Sequence, residues 1–159
     1  MQPASAKANI KTAANLTLLN ATLDLYDLEN VWGPDNDSWL ELADEVGAWT
    51  VIDLGCGTGL ITRALAVGDR VVIGVDPSPA MLAVARKGPG TDKVRWIQGD
   101  ASALWDIGAD LALMTGNVAQ VFWDDASWES ALRSLHRALR PGGCLAFDSR
   151  NPAAREWEH

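Results

Sequence analysis

The sequence predicts an α/β fold built on a doubly wound, mostly parallel sheet with helices on both faces. Short strand-like runs alternate with helix-like stretches from residue 50 onward, and the runs are mostly apolar on both faces. Such alternation is typical of parallel strands joined by right-handed crossovers. The predicted strands are TVIDL (50–54), RVVIGVD (70–76), KVRWIQ (93–98), DLALM (110–114) and CLAFD (144–148).

The stretches between the strands carry apolar residues on one helical face, which predicts amphipathic helices packed against the sheet. These residues are Leu60, Ile61, Ala64 and Leu65 after the first strand, Met81, Leu82, Val84 and Ala85 after the second, and Trp128, Ala131, Leu132, Leu135 and Leu139 before the fifth.

A helical lead-in precedes the sheet. Residues 1–47 are predicted to form an N-terminal cap on a domain of residues 48–159, with which they make one globular unit. A first helix ends near Tyr26, and a second follows the GPDND turn, with Asp37 or Ser38 as its N-cap. The apolar face of the second helix consists of Trp39, Leu42, Ala43 and Val46.

Composition excludes several classes of function. The 159 residues include 13 Lys and Arg against 21 Asp and Glu, a net charge of −8, which disfavours a nucleic-acid partner. No apolar run approaches the roughly 20 residues of a membrane helix, and the first residues lack the apolar core of a signal peptide. Cys56 and Cys144 belong to no CxxC motif or Cys/His cluster, so no metal site is expected. We expect a cytoplasmic protein with reduced thiols and no membrane association.

The stretch VIDLGCGTGLITRAL places Gly55, Gly57 and Gly59 between a predicted strand and a predicted helix. Glycine permits positive φ and close approach to the backbone, and the N–H groups that open a helix favour a carboxylate or phosphate. Ligands of open parallel sheets bind at the carboxyl ends of the strands, where this loop lies. An ordinary tight turn is the alternative, but three alternate glycines after an acid exceed what a turn requires.

The glycine spacing distinguishes two nucleotide-like ligands. A dinucleotide fingerprint needs a third glycine where Leu60 stands, so the fit to NAD is poor. The segment from Asp53 to Gly59 instead matches D-x-G-x-G-x-G, and the chain resembles the class I S-adenosylmethionine-dependent methyltransferases, a Rossmann-like family. The resemblance implies S-adenosyl-L-methionine as cofactor and S-adenosyl-L-homocysteine as product. It implies these cofactor-binding residues in the loop: Asp53, Gly55, Cys56, Gly57, Thr58 and Gly59.

Further stretches carry the same resemblance, over roughly residues 48–149. Asp76 ends the second strand, where the family has an acid on the ribose hydroxyls, and Asp100 follows the third strand, where the family has an acid on the adenine amino group. The backbone of Ala101 is expected at the edge of the adenine ring. The resemblance also implies cofactor contacts at Tyr26, Pro77, Met81, Thr115 and Asn117.

The resemblance favours a small-molecule methyl acceptor, because no DPPY or NPPY box of the nucleic-acid amino-methylating members is present. Helix packing is an equally good interpretation of Tyr26 and Trp39, and Trp123 is a further candidate for a pocket wall. The predicted substrate residues are Trp39, Asn117, Gln120 and Phe122.

No catalytic residue is assigned. Methyl transfer from a sulfonium is a displacement that needs no enzyme nucleophile, and a general base only if the acceptor loses a proton. His136 lies on the polar face of its predicted helix, and Asp124 or Asp125 reads best as a helix N-cap. A non-catalytic S-adenosylmethionine-binding or partner subunit remains the alternative, and an NAD-dependent oxidoreductase is a less favoured one.

The resemblance also implies a sixth and a seventh strand, which the sequence up to His159 does not supply. The fifth strand would then be an apolar edge. We expect it either to mediate self-association or to be covered by the rest of a longer polypeptide.

Overall fold

A computed structural model describes residues 28, 30–151 and 153 of the chain. Five strands form one sheet in the order β3-β2-β1-β4-β5, and all neighbouring strands are parallel. The strand order reverses between β1 and β4, which places a switch point at the carboxyl end of β1. The predicted doubly wound fold is confirmed. The strands are β1 (Thr50–Leu54), β2 (Val71–Asp76), β3 (Val94–Gln98), β4 (Ala109–Met114) and β5 (Leu139–Phe147).

In the described part of the chain, helices connect or flank these strands, and three 3₁₀ turns lie at strand ends. The helices are α1 (Pro34–Glu45), α2 (Leu60–Leu65), α3 (Pro79–Ala85) and α4 (Asp125–Ala138). The 3₁₀ turns are Thr91–Lys93, Ala101–Ala103 and Val118–Val121. Among the described residues, no helix has the length and apolar character needed to cross a membrane.

Each face of the sheet carries its own apolar cluster. Successive strand residues point to opposite faces, so Ile52 packs on the side of Leu135 from α4. Val51 packs on the other side with Ala43 from α1 and Leu65 from α2. The mostly apolar strands of the sequence are therefore explained by burial on both sides.

The start of α1 differs from the prediction. The helix begins at Pro34, inside the expected GPDND turn, so Asp37 and Ser38 lie within it and do not cap it. Proline is favoured at a first helical position because its φ is already helical and its missing N–H needs no partner there. Asp35 and Asp37 in the first turn add a favourable interaction with the helix dipole.

Strand β5 is longer than predicted, because it starts at Leu139 and includes the Pro-Gly-Gly turn. Its pairing with β4 shifts between Ala109 and Leu111 and then continues from Cys144. A Cβ atom on Gly143 would lie 2.8 Å from the carbonyl oxygen of Ala109, so glycine is needed for this close approach.

Trp96 of β3 fills the space beside two glycines. A Cβ atom on Gly59 would lie 2.5 Å from Cη2 of Trp96, and one on Gly74 would lie 2.8 Å from its Cε3. The indole Nε1 donates to Oγ1 of Thr91 at 2.9 Å, so the polar end of the ring is satisfied. The ring thus packs the start of α2 against β2 and β3.

Candidate functional site

The glycine loop between β1 and α2 is fastened to the end of β2. The backbone N–H groups of Gly55 and Cys56 both donate to the carbonyl oxygen of Val75, at 2.7 and 3.0 Å. The loop has positive φ at Gly55 (79°), Gly57 (54°) and Gly59 (78°). These three residues therefore need glycine for backbone conformation, as the sequence indicated.

Close packing within the protein gives two of these glycines a second reason. A Cβ atom on Gly55 would lie 2.4 Å from Cγ2 of Val118, in the turn after β4, while Gly59 faces Trp96. The neighbour that excludes a side chain at these two positions belongs to the protein itself. Sequence reasoning had assigned that space to a ligand, because contacts between residues so far apart along the chain have no local signal.

The rest of the loop is buried and anchored to α3. Thr58 is buried, and its carbonyl oxygen accepts from Nη1 of Arg63 at 2.6 Å. The same Nη1 donates to the carbonyl oxygen of Ala85 at the end of α3, at 3.3 Å. Arg63 therefore joins the backbone of the glycine loop to the end of α3.

Asp76 connects the glycine loop with α3. Its side chain is only 8% exposed; Oδ2 accepts from the N–H of Gly57 at 2.9 Å, and Oδ1 accepts from the N–H of Ser78 at 2.8 Å. Each carboxylate oxygen can accept a further hydrogen bond. Pro77 follows as an exposed residue, and the N–H of the half-buried Met81 donates to the N-cap Oγ of Ser78 at 3.3 Å.

Asp53 lies beneath the loop in β1 and is 1% exposed. Its Oδ2 accepts from Oγ1 of Thr62 at 2.6 Å, whereas its Oδ1 has no partner among the described residues. Burial raises the pKa of Asp53 to about 6, against a lowering by the Thr62 hydrogen bond and a further rise from the charge of Asp76. An unpaired buried carboxyl oxygen is suited to a hydrogen-bond donor or cation supplied by a ligand.

Cys56, within the loop, is a buried free thiol. Burial and the charges of Asp53 and Asp76 raise its pKa well above the usual range. A raised pKa disfavours the thiolate, which is the nucleophilic form of cysteine.

Asp100 and Ala101 lie at the carboxyl end of β3, next to β2. Oδ1 of Asp100 accepts from the N–H and the Oγ of Ser102, at 2.8 and 2.6 Å, and these bonds lower its pKa. Asp100 is exposed and ionised, while Ala101 is buried in the core. An ionised acceptor therefore stands at the same edge of the sheet as Asp76.

The turn after β4 is held by Asp148, a residue that the sequence analysis did not select. Thr115 is buried, and Gly116 and Asn117 follow with φ of 65° and 66°. Oδ2 of Asp148 accepts from the N–H of Gly116 at 2.9 Å, and Oδ1 accepts from that of Asn117 at 2.6 Å. The available signal was an acid at the end of a predicted strand, the same feature that identified Asp76.

The predicted substrate residues have different surroundings. Phe122 contacts Trp128 with its ring tilted by 55° and ring centroids 5.6 Å apart, and it packs against the core cluster. Gln120 is exposed on the turn after β4. Trp39 is half-buried and lines a cleft of about 510 Å³ together with Asp148. The cleft and the Asn117 turn therefore share Asp148, and Phe122 packs beside that turn.

The remaining sequence expectations concern residues beside the site. Trp123 is 90% exposed, so its ring has little contact with the rest of the described residues. His136 is exposed on α4, as expected, and Asp124 caps that helix by accepting from the N–H of Ser127 at 2.7 Å. The described residues contain no cluster suited to a metal ion. Tyr26 lies outside the described residues.

The known proteins that this chain resembles are methyltransferases. A family model described as a methyltransferase domain matches residues 51–143. The cypemycin N-terminal methyltransferase of Streptomyces sp. is 32% identical over 135 residues, which are 82% of this chain and 55% of that protein. The 2-phytyl-1,4-naphtoquinone methyltransferase of Thermosynechococcus vestitus is 37% identical over 131 residues, 77% of this chain and 54% of that protein.

A solved structure gives the same result for the fold. The TehB-like SAM-dependent methyltransferase of Corynebacterium glutamicum superposes with a TM-score of 0.63 at 27% identity, over 86% of this chain and 72% of that one. The chain spans about half the length of the two curated relatives named above. The resemblance seen in the sequence is confirmed, and the chain belongs to the methyltransferase-domain family of class I S-adenosylmethionine-dependent methyltransferases.

Proposed function

We propose that this chain binds S-adenosyl-L-methionine and transfers its methyl group to a small-molecule acceptor. The observation that carries the proposal is the buried pair of acids around the glycine loop. Asp76 holds the loop by the N–H of Gly57, and Asp53 keeps one buried oxygen without a partner beneath it. An adenosyl amino acid supplies both ribose hydroxyls and an ammonium group, which are donors suited to these two carboxyl groups.

The cofactor contacts follow from the free acceptors at this edge. Asp76 would accept from the ribose hydroxyls with the lone pairs that Gly57 and Ser78 leave free. The ionised Asp100 would accept from the adenine amino group, and Asp53 would accept from the ammonium of the methionine part. The further residues proposed to contact the cofactor are Gly55, Cys56, Thr58, Gly59, Pro77, Met81, Ala101, Thr115 and Asn117, with Tyr26 beyond the described residues.

The bound cofactor would supply an electrophilic methyl group on a sulfonium. The chain's own part is to bind and orient the two reactants and to exclude water, which can provide most of the rate enhancement of a displacement. The anchored loop and the Asp148-held turn give that orientation a rigid base. A general base is needed only for an acceptor that must lose a proton.

A small acceptor is supported by the position of the turn and by the charge of the chain. Asn117, Gln120 and Trp39 are the proposed acceptor contacts, and Phe122 supports the turn from the core side. The net charge of −8 disfavours a nucleic acid. The names of the two relatives specify different acceptors, a cypemycin N-terminus and a 2-phytyl-1,4-naphtoquinone. A non-catalytic cofactor-binding domain is the alternative, and turnover of labelled cofactor distinguishes the two.

We also propose a cytoplasmic location and self-association through β5. Both cysteines are free, which suits a reducing compartment. Among the described residues β5 pairs only with β4, Cys144 and Phe147 are exposed, and no charged residue lies between residues 141 and 147. A cleft of about 800 Å³ lies beside this strand, lined by apolar residues of α4 and β5 together with Arg133, His136 and Arg137. The uncharged stretch from 141 to 147 offers little resistance to pairing with a second copy.

Cofactor identity is tested by titration calorimetry. S-adenosylhomocysteine should bind and NAD should not, because Leu60 stands where the dinucleotide loop needs its third glycine. Tighter binding of NAD would contradict the proposal.

Replacement of Asp76 should weaken the binding of S-adenosylhomocysteine by at least about tenfold, since hydrogen bonds to a charged acceptor are worth about 1.5–3 kcal/mol each. Asp76→Asn retains one acceptor oxygen and should lose less affinity than Asp76→Ala. His136→Ala, on the exposed side of α4, is the control and should bind as the wild type does. Equal affinities for Asp76→Ala and the control would show that Asp76 is no ribose ligand.

Asp53 should make stability depend on pH between its ordinary and its folded pKa. The pKa rises from 3.8 to about 6, so the folded protein holds this proton more tightly. The stabilisation is fully present below the lower value and is lost as the pH rises through the upper one; it amounts to about 3 kcal/mol at 1.36 kcal/mol per pKa unit. The free energy of urea unfolding should fall across this pH range in the wild type and in the exposed control Asp92→Asn, but not in Asp53→Asn. If the free energy of unfolding depends on pH in the same way in all three proteins, Asp53 does not cause the dependence.

Self-association is tested by sedimentation velocity over a range of concentrations. We expect a reversible dimer in which a mild oxidant links Cys144 of two copies, because Cys56 is buried. Cys144→Ser should keep the dimer and abolish the cross-link. A monomer at every concentration would contradict pairing through β5.

A further inference from the structure

Asp148 joins the ends of two neighbouring strands. It is the first residue after β5, and its own N–H donates to the carbonyl oxygen of Met114 at the end of β4, at 3.4 Å. Its carboxylate extends beyond β4 and takes one N–H on each oxygen, from Gly116 at 2.9 Å and from Asn117 at 2.6 Å. Both carboxylate oxygens of Asp148 thus accept hydrogen bonds from the same turn.

The Asp148 carboxylate is the acceptor that holds this turn. Gly116 and Asn117 have left-handed φ of 65° and 66°, a region that glycine enters freely and that asparagine adopts more readily than most residues. The two residues can therefore adopt this conformation locally, and the hydrogen bonds from Asp148 fix where the turn lies. The two N–H groups are at least partly accessible, so water can replace the carboxylate as their acceptor. Loss of Asp148 would therefore change the position of the turn more than the stability of the protein.

The turn is also coupled to the glycine loop. Asn117 precedes the 3₁₀ turn Val118–Val121, and the side chain of Val118 packs so tightly on Gly55 that a Cβ atom there would lie 2.4 Å from it. A displacement of Asn117 moves Val118, and Val118 is in contact with the loop that is fastened to β2. A carboxylate after the fifth strand is thereby linked to the loop after the first.

We propose that Asp148 is a positioning residue for the bound cofactor and the acceptor. It holds Asn117 and Val118 in place, and through them it sets the part of the site that packs against the glycine loop. This inference rests on the proposed function, since it assigns Asp148 a role in that same site. Asp148 also lines the cleft of about 510 Å³ with Trp39, so the fixed turn lies next to a space that a small acceptor can enter.

The chain offers a matched control at the opposite edge of the sheet. Asp110, near the start of β4, accepts from the N–H groups of Trp49 and Thr50, both at 2.8 Å, and forms an ion pair with Arg140. It too is a carboxylate that bridges two backbone N–H groups of a neighbouring segment. Its removal disturbs the sheet at the amino ends of the strands, away from the glycine loop.

The experiment compares Asp148→Asn, Asp148→Ala and Asp110→Ala with the wild type by calorimetry with S-adenosylhomocysteine and by urea unfolding. We expect Asp148→Ala to bind S-adenosylhomocysteine about tenfold more weakly than the wild type, which is the effect of losing about one hydrogen bond to the cofactor. Asp148→Asn keeps one acceptor oxygen and should bind about threefold more weakly. Asp110→Ala should lose stability but retain affinity. Amide exchange at Gly116 and Asn117 should accelerate only in the Asp148 variants.

Two results separate this inference from the proposed function. If the wild type itself does not bind S-adenosylhomocysteine, the proposed function fails, and the inference fails with it. If the wild type binds and Asp148→Ala binds equally well, or loses affinity no more than Asp110→Ala at the same loss of stability, the positioning role alone is overturned.

Discussion

The attachment of the glycine loop to the end of β2 is the constraint on which the rest of the site depends. Two loop N–H groups share the carbonyl oxygen of Val75, and a third bonds to Asp76. This arrangement requires positive φ at Gly55, Gly57 and Gly59. Because β2 leads into α3, and the N–H of Gly99 after β3 donates to the carbonyl oxygen of Asp76, the conformation of the loop is coupled to the carboxyl ends of β1, β2 and β3.

Carboxylates at the ends of strands act as acceptors for backbone N–H groups throughout this chain. Asp76 accepts from the glycine loop, Asp148 accepts from the turn after β4, and Asp110 accepts from the N–H groups at the start of β1. Asp100 and Asp124 do the same for a 3₁₀ turn and for α4. Part of the acidic excess is therefore structural, and it brings negative charge to an edge where a positively charged cofactor group is proposed to bind.

These acids differ in how protonation affects folding. Hydrogen bonds lower the pKa of Asp100 and Asp110, so their contribution to stability is present above their ordinary pKa and is lost on acidification. Burial acts in the opposite direction on Asp53, whose charged form is disfavoured in the core. The acid that best suits a ligand donor is thus the one whose ionisation destabilises the folded chain.

Sequence by itself determined the order in which strands and helices follow one another along the chain, the position of the glycine loop, and the acids at the ends of β2 and β3. These features depend on residue type and local spacing, which the chain carries within a few residues. The prediction for the start of α1 was wrong, because a proline is equally typical of a turn and of a first helical position. The predicted length of β5 was wrong, because pairing with β4 extends through the Pro-Gly-Gly turn.

Tertiary structure alone decided which distant residues meet at the carboxyl edge. Val118 against Gly55, Trp96 against Gly59 and the Asp148 bonds to the turn after β4 all join segments far apart in sequence. Such contacts arise from the spatial order of the strands, and no local pattern reports that order. The physical reason is that hydrogen-bonding and packing partners are selected by proximity in the folded sheet, whereas a sequence pattern records only the preferences of each residue and its near neighbours.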